Sequence, residues 1–117
     1  MPLPPSVQSA ATPATPLRST FADDADMREI VEMFVSDMPG KIQSLSTLWE
    51  EQRLDDLRRL AHQLKGAGGG YGFPTVGTAA GEVEASIDAM AHGRAARVEH
   101  LRAQFDELVR LCRAVSV

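Results

Sequence analysis

From Phe21 onward, apolar residues recur at spacings of three and four and nowhere alternate with period two, a pattern that predicts helices and no strand. Met27, Ile30, Val31, Phe34 and Met38 form the first stripe, behind the Asp23-Asp24 pair that suits a helix start, and Pro39 breaks it. The expectation is a first helix over 23–37. Ile42, Leu45, Leu48 and Trp49 carry a second segment opening at Pro39, where a proline is well placed near a helix start. Leu54, Leu57, Leu60, Ala61, Leu64 and Ala67 mark a third helix, capped by Asp55 and ended by the glycines around Gly70. Val76, Ala80, Val83, Ile87 and Met90 mark a fourth between Pro74 and Gly93. Val98, Leu101, Phe105, Leu108, Leu111, Cys112 and Val115 mark a fifth of about 20 residues, some 30 Å long. With short connections, consecutive helices should pack antiparallel. The predicted fold is all-α, an up-and-down four-helix bundle with an additional N-terminal helix.

Ahead of these stripes, residues 1–20 hold five of the seven prolines among Ser, Thr and Ala. They read as a disordered linker or tail, and composition leaves open whether it is a bare terminus or a tether. That leaves 21–117 for one domain, the size at which a chain of 117 residues buries a single core. Aromatics are only 5% of the chain, so Leu, Val, Ile, Met and Ala must fill the interior, as in a helical bundle. A formal net charge of -4 argues against nucleic acid as a partner. The single cysteine, Cys112, excludes an internal disulfide, fits a reducing compartment, and lies on the apolar stripe of the last helix. No apolar run is long enough to span a bilayer, and the first residues lack a signal-peptide pattern. The expected location is cytoplasmic, without membrane contact.

One segment resists this plain reading. Glycine costs a helix interior about 1 kcal/mol relative to alanine, yet LAHQLKGAGGGYGFP carries Gly66, Gly68, Gly69, Gly70 and Gly72. On a helical wheel centred on His62, Asp55, Arg58, Gly66 and Gly69 fall within about 40°, with Arg59 and Lys65 near 60° on opposite sides. Leu57, Leu60, Leu64, Ala67 and Tyr71 fall on the far side. His62 therefore points away from the core. An exposed imidazole, with an ordinary pKa of about 6.5, is largely neutral at pH 7 and is a competent nucleophile. Lys65 adds a positive charge one turn on, and Gly66 and Gly69 remove side chains that would obstruct a partner or a tetrahedral group. This suits phosphoryl transfer, in which positioning and charge compensation are most of the task. The same cations, Arg58, Arg59 and Lys65, form a local basic patch able to meet an anion or steer an acidic surface.

On the fourth helix, Gly77, Gly81 and Ala85 make a row of small residues that admits a close neighbour. Glu84 borders that row and the apolar stripe. A carboxylate there can accept the Nδ1 proton of His62 and leave the Nε2 lone pair for attack. Spacing alone fits a solvated flank charge equally well.

With Ala61-His62, Leu64-Lys65-Gly66, Gly72 and Glu84 in this order and spacing, AHQLKGAGGGYGF resembles the motif of the histidine-containing phosphotransfer (HPt) domain family, over residues 23–115. The resemblance implies a four-helix bundle and a phosphocarrier without turnover of its own, relaying between receiver-domain aspartates in a two-component phosphorelay. It implies His62 as phosphoacceptor at Nε2, Lys65 on the phosphoryl oxygens, Gly66 clearing space, and Glu84 orienting the imidazole. A receiver of a response regulator would dock over the Gly66 and Gly69 side with help from Arg58, Arg59 and apolar residues of the first helix. A sensor histidine kinase, in cis or in trans, is the further expected partner. No cofactor is expected on this chain, Mg2+ belonging to the receiver, and the chain is expected to act as a monomer.

The segment is also similar to the phosphoacceptor domain of chemotaxis kinases, for which the donor is an ATP-bound kinase domain. A scaffold that docks receivers without being phosphorylated is another reading. The glycine cluster lacks a preceding strand and a Ser or Thr after the lysine, so it is no ATP-binding loop. A metal site on His62, His92 and His100 is disfavoured, because no two histidines are spaced four apart on one helix face.

Overall fold

The computed structural model describes residues 16–93 and 98–116. Four helices, α1 (Ala25–Glu50), α2 (Leu54–Gly70), α3 (Pro74–Ala91) and α4 (Val98–Ala114), follow a two-residue strand β1 (Leu17–Arg18) and precede another, β2 (Val115–Ser116). Each helix packs on the next and α4 returns to α1, which closes the bundle. The core is aliphatic with few rings. Val31, Phe34, Met38 and Leu45 of α1 meet Leu57, Ala61 and Leu64 of α2, Val76, Ala80, Val83 and Ile87 of α3, and Leu101, Phe105, Leu108 and Cys112 of α4. Phe34 stacks on Phe73 at 5.4 Å, and Trp49 on Phe105 at 4.5 Å between centroids.

The two helices expected over 23–37 and from Pro39 onward are one helix, so the additional N-terminal helix is not found among the described residues. Pro39 is exposed, while Val31, Phe34, Met38 and Leu45 keep a single buried stripe in helical register across it. Burial on both sides of the proline holds a turn that local propensity disfavours by about 3 kcal/mol. At the start of α1 the expected cap forms, with Asp24 accepting from the Asp26 amide at 2.9 Å. Asp55 does not cap α2. Arg53 occupies that position without a side-chain bond, and Asp55 lies in the first turn.

α2 ends at Gly70, within its glycine run, and the left-handed residue follows two positions on. Gly72 takes φ +86, Phe73 N–H donates to Gly68 O at 2.7 Å, and Gly72 N–H to Gly69 O at 3.4 Å, a left-handed stop that only glycine enters cheaply. Pro74 then opens α3.

The last residues of the expected tail are not free. β1 pairs with β2 in parallel, Leu17 opposite Val115 and Arg18 opposite Ser116. Ser19 is buried, its Oγ donating to Tyr71 O at 2.7 Å and accepting from Phe21 N at 3.0 Å. Thr20 N–H donates to Gly72 O at 2.8 Å. Two-residue strands are too short to leave a period in sequence, which is why helices alone were expected. Residues 1–15 of the expected tail lie outside the described residues.

Candidate functional site

α2 and α3 run antiparallel in tight register. A Cβ built on Gly68 would lie 2.7 Å from the Gly77 nitrogen, and one on Gly77 would lie 3.0 Å from Lys65 O. Backbone meets backbone here, so Gly68 excludes any side chain and Gly77 leaves room for one only if the facing helix gives way. Further along, a Cβ on Gly81 would sit 3.4 Å from Lys65 Cδ, so the lysine stem runs over Gly81. Ala85, expected in the same row, is exposed and takes no part in this approach.

This register brings His62 opposite Glu84. The imidazole is exposed, 67% of its side-chain surface being accessible, while the Glu84 side chain retains only 11%. His62 Nδ1 lies 2.8 Å from Glu84 Oε2. Against an ionised carboxylate, which only accepts, a neutral ring donates through Nδ1 and leaves the Nε2 lone pair on its exposed side. Lys65 Nζ stands 3.7 Å from the other oxygen, Glu84 Oε1. The carboxylate is thus fixed between an imidazole and an ammonium.

Four residues back along α2, Arg58 faces Asp88, four residues on along α3 from Glu84. Its Nε donates to Asp88 Oδ1, and its Nη2 lies 3.9 Å from Glu84 Oε2. The bond to Asp88, reinforced by that carboxylate's charge, raises the arginine further above its already high ordinary value. Arg59 pairs at 3.2 Å with Asp56, which also takes Arg53. The expected basic patch is therefore not an uncompensated one. Arg58, Arg59 and Lys65 sit among Asp56, Glu84 and Asp88, and their charges are largely balanced within the fold.

The glycines of α2 divide into two kinds. Gly68 is required by packing. Gly66, Gly69 and Gly70 are exposed, and a Cβ on any of them would meet nothing within 4 Å. Their cost of about 1 kcal/mol each in helix propensity has no internal offset, so what they provide is open surface beside His62. On α1, Ile30 and Met33 are large apolar side chains left exposed.

A family model for the Hpt domain matches residues 29–116. The chain belongs to the Hpt domain family. As an Hpt domain it is a phosphotransfer module of two-component signalling, a phosphocarrier, whose partners are receiver domains of response regulators or kinases. Searches of curated proteins and of solved structures return no match. No helix among the described residues of this Hpt domain is long and apolar enough to cross a membrane. Among those residues no group of three or more His, Cys, Asp or Glu could hold a metal ion. His92 instead closes α3, its Nδ1 2.8 Å from Asp88 O, and His100 lies 3.3 Å from the Gln104 amide on α4.

Asp88 is the residue of this site that the sequence pattern did not single out. The signal was available: once His62 is set against Glu84 on antiparallel helices, position 58 must fall against position 88.

Proposed function

We propose that His62 is the phosphoacceptor of this Hpt domain, taking a phosphoryl group from a receiver-domain aspartate, or from a kinase, and passing it to the receiver aspartate of a response regulator. The observation that carries this reading is the 2.8 Å contact between His62 Nδ1 and Glu84 Oε2 on an otherwise exposed ring. The Nε2 lone pair forms the N–P bond as the P–O bond of the acyl phosphate breaks, and the aspartate leaves as carboxylate. Nδ1 keeps its proton throughout, so the phosphorylated ring is cationic and Glu84 balances it. The return step to the next aspartate reverses these bonds.

Lys65 swings from Glu84 Oε1 to the phosphoryl oxygens, a short movement for its flexible stem. Gly66 and Gly69 leave room for the receiver, with exposed Ile30 and Met33 of α1 adding apolar contact and Arg59 a charge at the rim. This chain brings no cofactor, the Mg2+ residing on the receiver, and it acts as a cytoplasmic monomer.

The test is labelling by a phosphorylated receiver. Wild type should acquire acid-labile, alkali-stable phosphate and His62→Gln none. Equal labelling of the two proteins would remove His62 from the role.

A further inference from the structure

Glu84 has two cations beside it besides the imidazole, and only one of them is restrained. Lys65 approaches Oε1. Arg58 approaches Oε2, the oxygen that His62 uses, but stays at 3.9 Å, beyond hydrogen-bond range, because its Nε is bonded to Asp88. Guanidinium and carboxylate prefer a two-bond fork at about 2.8 Å, which Arg58 would reach by a shift of about 1 Å. Such a fork would occupy both oxygens of Glu84 and draw the carboxylate off the imidazole.

We propose that Asp88 is a positioning residue that holds Arg58 back from Glu84 and so reserves Glu84 Oε2 for the Nδ1 proton of His62. Arg58 is on this view an engaged part of the α2–α3 interface rather than a docking cation. Of the groups around the pair, Asp55 acts on Arg58 from the α2 side, and Glu84 and Asp88 from α3. The role of Asp88 in transfer rests on the phosphoacceptor reading above, whereas its effect on the imidazole tautomer does not.

The two are separated by measuring both in four proteins: wild type, Asp88→Ala, Arg58→Gln and the double variant. The first readout is the 15N spectrum of the neutral His62 ring, assigned against His62→Gln, which reports which nitrogen bears the proton. The second is the rate of phosphoryl transfer from a phosphorylated receiver. Asp88→Ala should move the proton from Nδ1 toward Nε2 and slow transfer about threefold to tenfold, the range expected for one lost hydrogen bond. Arg58→Gln should leave the tautomer in place. The double variant should recover the wild-type tautomer and most of the rate, a rescue that general loosening of the fold would not produce. An unchanged tautomer in Asp88→Ala, or a double variant as impaired as Asp88→Ala, overturns the proposal. If no protein in the series is labelled on His62, the phosphoacceptor reading fails, and the tautomer series still decides the role of Asp88.

Discussion

Two side chains, one exposed and one in the core, illustrate how burial sets chemical availability. His62 lies out on α2 with one nitrogen fixed and the other free. Cys112 is buried on α4 among core residues, and desolvation pushes its thiol up from 9.0 to about 12. Its thiolate is suppressed at neutral pH, so a disulfide-exchange reagent should react slowly with the native protein and rapidly once urea unfolds it. The same shift has a consequence for stability. Because the folded value lies above the unfolded one, the contribution is complete below about pH 9 and is lost as pH rises toward 12. Urea melts across that window should show a steeper decline for wild type than for Cys112→Ala. Matching slopes would mean that the thiol is far less buried than its position requires.

At the scale of helices, α2 and α3 show which glycines build the fold and which leave it open. Gly68→Ala places a methyl 2.7 Å from the Gly77 nitrogen and 3.1 Å from its Cα. The helices must part, and the expected loss is about 1–3 kcal/mol despite alanine's better helix propensity. Gly66→Ala meets open space and should stabilise by up to about 1 kcal/mol while slowing exchange with the receiver. Thermal melts of the two variants moving in the same direction would contradict this division. Much at this scale was legible beforehand, since the spacing of three and four located the helices and put His62 on a polar face. What sequence obscured was tertiary. Pro39 reads as a break because its local cost is visible and its compensation is not: Met38 and Leu45 are buried against other helices. The part of Asp88 is hidden in sequence for a related reason, since it depends on a register between helices that periodicity within one helix does not supply.

For the molecule as a whole, the least legible feature is how the segment before α1 meets the segment after α4. A stretch rich in proline, serine and threonine looks like a tail because nothing local in it favours structure, and Tyr71 O, to which Ser19 Oγ donates, lies 52 residues away. Such contacts gather three parts of the chain. β1 lies on β2 at the end of α4, Ser19 Oγ reaches Tyr71 O, and Thr20 N–H reaches Gly72 O at the left-handed turn between α2 and α3. Nothing but glycine fits at 72, since a Cβ there would lie 2.3 Å from Ser19 Oγ. Ser19→Ala removes a donor and an acceptor from a buried position and leaves Tyr71 O and Phe21 N without that partner, a loss of about 1–3 kcal/mol. For a domain of this size the melting temperature should fall by roughly 5–15 °C. Thr20→Ala is the control, because Thr20 is exposed and its bond to Gly72 runs through the backbone, so its effect should stay within about 0.5 kcal/mol. His62 stands eight residues, about 12 Å, from the end of α2 at Gly70, and its bond to Glu84 does not pass through this closure. Below its lowered melting temperature, Ser19→Ala should therefore still exchange phosphate with a receiver at close to the wild-type rate. A slowed rate in a folded Ser19→Ala protein would show that the contacts joining β1, β2 and the α2–α3 turn also set the geometry at His62.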